Sequence, residues 1–330
     1  MTDIERNEVD EKQKKPSTFR SLEELIALDV PEPSYIWDGE ISENEQNCWA
    51  GHPNVTKSLL CHGLITSIAH GDDFLGRKTK KGTVILIDKE SSINTLVSRF
   101  KRLNRGFEKS EFKHKAYVYT PQEMKVIPAD MLKIAQMVEK FKPILVIFDS
   151  FSRFFEGDEN SSADVRRVFE LLKPLMDKYR VTFLFIHHCV KSSGKVNIFS
   201  LRGSGDLIAS CGSVSVLNRL QNGVIELEQV KNRNGELSKK IVFRVDDVET
   251  QKGKSLKINL VGEYANEFNI DEFVNEWINK NIEINQKFKS GAVYGGLEKF
   301  DENSLRDSLK SLSAKGKIFE NGKGKWIRKS

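Results

Sequence analysis

The sequence predicts an α/β protein built on a mostly parallel sheet, with a small C-terminal domain of different texture. Three observations carry this expectation. Short, β-branched and almost wholly apolar runs alternate with helix-length segments from about residue 35 to residue 247, the pattern of strands covered on both faces. A glycine-led loop ending in Lys57-Ser58 lies between one such strand and the helix after it. From Asn269 onward the pattern becomes three helical segments and a basic hairpin.

At 330 residues the chain has room for two domains, one with a substantial core. Its net charge of +5 is mildly basic, which suits a nucleic-acid partner without requiring one. Cys48, Cys61, Cys189 and Cys211 are scattered, with no CxxC pair and no nearby histidine set at zinc spacing, so neither a zinc site nor a disulfide framework is expected. No apolar run approaches the ~18 residues needed to cross a bilayer. The N-terminus is charged rather than signal-like, so a cytoplasmic protein with no membrane partner is expected.

Residues 1–20 are charged and polar up to Phe19 and read as a disordered tail. Residues 21–34 form a helix and linker. Ser21-Leu-Glu-Glu24 is a capping box, Leu22, Leu25, Ile26 and Leu28 supply an apolar face, and Pro31 and Pro33 end the segment. That face is expected to pack on the chain's own core, with docking on a neighbouring subunit as the alternative. Strands are expected at Asn47–Ala50, Thr83–Asp88, Ala116–Tyr119, Ile144–Phe148, Val181–Ile186, Val214–Leu217, Val224–Gln229 and Ile241–Val245. Helices fit Lys57–His70, Ile93–Asn104, Ala129–Phe141 and Ala163–Tyr179. The last strands follow one another without helices, which implies antiparallel additions at one edge. Residues 248–268 read as a last strand and a linker.

Gly51-His-Pro-Asn54-Val-Thr56-Lys57-Ser58 has the spacing of a phosphate-binding loop, with threonine where glycine is usual. Such a loop turns backbone N–H groups toward phosphate, places a lysine on the terminal phosphates and a hydroxyl on Mg²⁺, and adds the helix N-terminus. Gly51, Asn54, Thr56, Lys57, Ser58 and Leu59 are therefore the candidate nucleotide contacts. A β-branched residue is costly at positive φ. Either the loop adopts a less extreme dihedral at Thr56 or it binds nucleotide poorly.

Ile144-Leu-Val-Ile-Phe148-Asp149 is an apolar strand ending in an acid that can hold the Mg²⁺ hydration shell beside Ser58. A strand-ending Asp is also a common turn cap. Glu90, just past the strand Val84-Ile-Leu-Ile-Asp88, is the candidate for orienting the attacking water. Its alternative role is capping the helix after Ser91. Asp88 is the second candidate and reads more simply as part of the strand end.

With these pieces placed, residues 35–245 resemble the RecA-like hexameric ATPases, especially the plasmid-type RepA replicative helicases, with the DnaB-like helicases more distant. Three further segments carry the resemblance. Val181-Thr-Phe-Leu-Phe-Ile-His187-His188 is similar to a strand ending in a histidine that senses the γ-phosphate, which would be His188, with His187 facing the other way. Leu201-Arg202-Gly-Ser-Gly-Asp206 follows a loop, residues 190–200, that faces the central channel in that family. Lys191, Lys195 and Arg202 then become DNA contacts, the alternative being a solvated loop, and Arg153–Ser162 is a second candidate channel loop. Lys231-Asn-Arg233-Asn-Gly235 matches an element whose basic residues reach the nucleotide on the next subunit; otherwise it is a basic hairpin turn.

In the C-terminal region Asn269-Ile-Asp-Glu272 is a capping box leading into Phe273, Val274, Trp277 and Ile278 at helical spacing. Ala292–Phe300 is a weaker helix because of Gly295 and Gly296. Ser304–Ala314 is a third helix, with Gly316 at its C-cap. Lys317-Ile-Phe319 and Lys325-Trp-Ile327 flank an Asn321-Gly turn. Three helices and a hairpin look like a winged-helix domain over 269–330. Arg306, Lys310, Lys315, Lys323 and Lys325 would be its phosphate contacts, unless the domain docks protein instead.

The resemblance implies a RecA-like core using ATP and Mg²⁺, assembled as a homo-oligomer, a hexameric ring, around single-stranded DNA, with duplex DNA at the winged helix. The alternatives are a repair or recombination ATPase without helicase activity and a DNA-binding regulator whose altered loop has lost turnover.

Overall fold

The computed structural model describes residues 21–28, 32–107, 111–157, 161–189, 195–198, 205–220, 223–264, 270–297, 300, 302–322 and 324–329. The expectations placed on the 1–20 tail, Lys191, Arg202, Asn269 and Lys323 lie outside the described residues. The chain divides into two units, Met1–Ser34 and Tyr35–Ser330.

In the first unit α1 (Leu22–Ile26) opens on the expected capping box. Ser21 Oγ accepts from Glu24 N at 3.1 Å, and Glu24 Oε2 accepts from Ser21 N at 2.7 Å. Leu22, Leu25 and Ile26 are exposed.

The second unit is built on a large sheet. A short hairpin of β1 (Tyr35–Trp37) and β2 (Ile41–Ser42) precedes it. There follow β3 (Gln46–Gly51), α2 (Lys57–His70), β4 (Val84–Asp88), α3 (Ile93–Asn104), β5 (Ala116–Tyr119), α4 (Pro128–Phe141) and β6 (Leu145–Asp149). The chain continues through α5 (Phe151–Phe154), α6 (Ser162–Tyr179), β7 (Thr182–His188), α7 (Gly205–Ser210), β8 (Ser213–Arg219), β9 (Ile225–Asn232), β10 (Lys240–Thr250) and β11 (Gly253–Tyr264). The nine strands lie in the order β11-β10-β9-β8-β3-β7-β6-β4-β5. From β8 to β5 neighbouring strands are parallel, and β9, β10 and β11 add antiparallel at the other edge.

Period-two alternation divides the strand residues between two cores. Ile85, Ile87, Val146, Phe148, Phe183 and Phe185 face the cluster containing Val138 of α4 and Val168 and Leu172 of α6. Val84, Leu86, Leu145, Ile147, Leu184 and Ile186 face the cluster containing Leu60, Leu64 and Ile68 of α2 and Leu96 of α3. Both faces are covered, so β3, β4 and β6 are buried at every position. That is why β4 and β6 read as apolar runs up to their closing aspartates. α2 is also buried nearly all round, as its mostly apolar composition requires.

The expected boundary at residue 247 falls inside β10, and the last strand expected within 248–268 is β11, which takes up most of that stretch. β10 and β11 pair from Lys240↔Tyr264 to Thr250↔Gly253. At the sheet edge β11 keeps many residues in water, so its sequence lacks the apolar density that marks the central strands.

The C-terminal elements are α8 (Ile270–Asn281), β12 (Lys287–Lys289), α9 (Ser290–Gly296), α10 (Glu302–Ala314), β13 (Ile318–Glu320) and β14 (Lys325–Arg328). Their antiparallel sheet has the order β12-β14-β13. Val274, Ile278, Leu305, Leu309 and Trp326 share a core with Val224, Val242 and Val261 from the edge of the large sheet. The second helix stops at Gly296 rather than running to Phe300. A Cβ at Gly296 would lie 2.3 Å from the Trp277 ring, so the glycine that weakens α9 allows its close approach to α8.

Candidate nucleotide-binding site

The loop from Gly51 to Ser58 joins the carboxyl end of β3 to the start of α2. A Cβ on Gly51 would stand 2.7 Å from Leu217 O and 2.9 Å from Val55 Cγ2, so β8 leaves space only for glycine. Thr56 is left-handed, at φ 62° and ψ 21°, and Asn54 has φ 66°. The loop therefore keeps the glycine-type dihedral despite the β-branch, a strain of about 1–2 kcal/mol. The Thr56 hydroxyl donates to Val55 O at 2.6 Å and does not cap α2. With no side-chain cap, the first-turn N–H groups of α2 are available to an anion.

Lys57 is buried, and its ammonium donates to Gly51 O at 2.9 Å and His52 O at 2.8 Å. Burial lowers its pKa, while Cys189, Asp149 and Glu90 act in the opposite direction. Ser58 and Leu59 follow on the first turn and are half-buried.

Asp149 ends β6, fully buried, with neither carboxylate oxygen partnered in hydrogen-bonding geometry among the described residues. Burial pushes its pKa up to about 6; the Ser58 hydroxyl opposes the rise, and Asp88 and Glu90 add to it. Asp88 stands beside it in register at the end of β4. Its Oδ1 accepts from the backbone N–H groups of Glu90 and Ser91, both at 2.7 Å, which is the strand-end role.

Glu90 does not cap α3; Ser92 does, accepting from Thr95 N at 3.2 Å. The Glu90 carboxylate instead meets His188 Nε2 at 3.0 Å, across from the end of β7. The His188 hydrogen bond holds its pKa down at about 2 against some burial, with Ser150 and Arg153 helping. His187 points the other way, as strand alternation requires. It is buried near the Phe151 ring, and burial lowers its pKa to about 4.

Lys57, Ser58, Asp149 and Glu90 thus share one electrostatic neighbourhood at the carboxyl ends of β3, β6 and β4. The donor set fits a Mg²⁺-nucleotide. An uncapped helix start and an ammonium would suit phosphate, and the Ser58 hydroxyl and the Asp149 carboxylate would suit a cation.

Lys231 and Arg233 lie elsewhere. Lys231 Nζ donates to Ile208 O at 2.6 Å and Ala209 O at 2.9 Å. Arg233 donates to Ala209 O at 3.0 Å and pairs with Glu45 at 3.4 Å. Both act on the carbonyl end of α7. Glu45 adjoins the amino end of β3, roughly 17 Å along the strand from Gly51 at the usual rise per residue. Neither side chain reaches the chain's own loop.

Among the other sequence candidates, Lys195 pairs with buried Glu226 at 3.4 Å. Arg306, Lys310 and Lys325 are exposed, with Lys310 3.9 Å from Asp307. Lys315 is exposed as well and pairs with Asp271 at 2.6 Å. Arg328 donates to Asn279 O at 3.2 Å and to Ile282 O, at the end of α8.

Sequence reasoning missed His62. It lies one helical turn past Ser58, buried against Phe100 with ring centroids 4.8 Å apart, and burial lowers its pKa to about 3. The i, i+4 spacing from Ser58 was the available signal. The four cysteines are free and buried, and no helix among the described residues is long and apolar enough to cross a membrane.

The family described as AAA domain matches residues 13–194, more than half of the chain and the whole stretch from the loop through β7. No curated protein matches.

Proposed function

Since the chain belongs to the AAA domain family, a P-loop ATPase-like group, we propose that it is an ATP-driven DNA motor of the replicative-helicase type. Lys57 exchanges its loop carbonyls for phosphate oxygens, and Ser58 and Asp149 hold Mg²⁺. The metal, when bound, offsets the charge that develops on the transferred phosphoryl group. Glu90 takes the proton of the attacking water as the bond to the γ-phosphorus forms and ADP leaves.

The observation that carries this reading is the 3.0 Å contact between Glu90 and His188. It joins the candidate base to the end of β7, and the chain beyond that strand leads into the candidate DNA loop with Lys191, Lys195 and Arg202. While bonded to His188, Glu90 is a weak base, with a pKa of about 2. Release from His188 raises its basicity. DNA that displaces the loop and His188 therefore promotes hydrolysis, and hydrolysis in turn resets the loop.

Lys231 and Arg233, remote from their own loop, serve the nucleotide of the next subunit in a ring, as an arginine finger in trans. The C-terminal elements form a winged-helix domain, with Arg306, Lys310, Lys323 and Lys325 contacting duplex phosphates. The test is ATPase activity with and without single-stranded DNA, together with strand displacement on a forked duplex. DNA-stimulated turnover, lost in Lys57→Ala, supports the motor, and strand displacement identifies it as a helicase rather than a repair or recombination ATPase.

One observation favours a second reading. The strained Thr56, at φ 62°, fits a DNA-binding regulator whose loop has lost turnover. Absence of turnover both with and without DNA would select that reading.

A further inference from the structure

Three buried side chains converge beneath the phosphate loop. His62 lies on α2 one turn beyond Ser58, and Asp88 and Asp149 are register partners at the ends of β4 and β6. One ligand atom from each lies within 4.8 Å of the other two. All three residues are fully buried. Neither ring nitrogen of His62 has a hydrogen-bond partner among the described residues, and neither do the two carboxylate oxygens of Asp149. Asp88 keeps Oδ2 unpartnered while Oδ1 accepts the two backbone N–H groups.

Buried polar atoms are ordinarily satisfied, and two adjacent carboxylates repel. A cation among the three groups removes both penalties. The ligand chemistry selects its class. Mg²⁺ prefers oxygen ligands throughout and retains water, whereas an imidazole nitrogen with carboxylates suits a first-row transition cation. Metal–ligand bonds of about 2.0–2.2 Å place ligand atoms up to roughly 4.4 Å apart, so a small side-chain movement closes the observed spacing. Phe100 packs on the imidazole and restricts its orientation.

We propose that His62, Asp88 and Asp149 form a binding site for a divalent transition-metal cation of the Mn²⁺ class, separate from the Mg²⁺ that accompanies nucleotide. The site borders the nucleotide pocket through Asp149 and does not use Lys57. It forms without nucleotide, so its test is independent of whether the protein hydrolyses ATP or binds DNA.

The test uses the full chain, stripped with EDTA and free of nucleotide, titrated with Mn²⁺ in a large excess of Mg²⁺. Electron paramagnetic resonance reads free and bound Mn²⁺, and pulsed measurements read nitrogen hyperfine coupling. One Mn²⁺ per chain with coupling to an imidazole nitrogen is expected, weakened about tenfold or more in His62→Gln and in Asp88→Asn. No binding, binding abolished by excess Mg²⁺, or bound Mn²⁺ without nitrogen coupling overturns the proposal. The nitrogen signal of the unmodified protein decides the matter even if the substituted chains fail to fold.

Discussion

Replacing Asp149 with asparagine should stabilise the nucleotide-free fold while removing hydrolysis. Asp149 is fully buried, neither of its oxygens is in hydrogen-bonding geometry with a partner among the described residues, and burial raises its pKa from 3.8 to about 6. The native state thus holds this proton more tightly than the unfolded chain does. Its contribution to stability is fully present below pH 3.8 and is lost as pH rises through about 6. Two pKa units at 1.36 kcal/mol each put the penalty of the ionised form at up to about 3 kcal/mol near neutral pH. Asparagine is nearly isosteric and uncharged, and Ser58 is close enough to partner its amide, so a gain of about 1–3 kcal/mol is expected. The assay is urea unfolding of EDTA-treated protein and of Asp149→Asn between pH 4 and 8. The variant's advantage should be small near pH 4, grow through pH 6 and level off above it, with unchanged m-values. A variant less stable at pH 7.5, or an advantage independent of pH, would refute the assignment of buried charge to this carboxylate.

Thr56→Gly removes the left-handed strain at φ 62°. Against glycine's greater unfolded-state entropy, a net gain of about 0.5–1 kcal/mol is expected in thermal unfolding, with tighter binding of a fluorescent ATP analogue; weaker binding would show that the loop needs threonine. His188→Ala frees Glu90 from the contact that holds its pKa at about 2. Because a depressed carboxylate pKa keeps the ionised form down to that pH, the acid limb of the ATPase profile should move upward toward 4.5, and stimulation by DNA should disappear. An unmoved limb would mean that Glu90 does not limit the rate. Neutralising exposed Arg306, Lys310 and Lys325 together should weaken duplex binding and reduce its salt dependence by about three phosphate contacts, whereas an unchanged slope in a binding titration would assign the C-terminal elements to another partner.

The central architecture was legible because physics forces it into the sequence. Strands covered on both faces must be apolar throughout, so β4 and β6 could be located to within a residue, and α2 and α3 carry clear start and stop signals. The left-handed demand at Thr56 was likewise visible, because the loop's spacing fixes which position must turn. Elements lying partly in water were harder to read. β11 is an edge strand with polar residues along its length, so a strand was expected within 248–268 but without bounds, and β12 is a three-residue Lys-Phe-Lys with one buried side chain. Within the site, the pairing of Glu90 with His188 depends on β4 and β7 being held close by the intervening β6, which no local pattern encodes. His62 was hidden for a related reason. On an otherwise apolar helix it looks like a packed core residue, and its meaning comes from two carboxylates that arrive from distant strands. The bonds of Lys315 to Asp271 and of Arg328 to the carbonyl end of α8 likewise join residues far apart in sequence, which no local pattern encodes.

The most direct test of coupled ATP hydrolysis at subunit interfaces is the ATPase rate per chain as a function of protein concentration, with and without single-stranded DNA. The account predicts a rate that climbs as subunits assemble, rises further with DNA and vanishes in Lys57→Ala. A rate per chain that is constant with dilution in a protein shown to be monomeric, and indifferent to DNA, would contradict it.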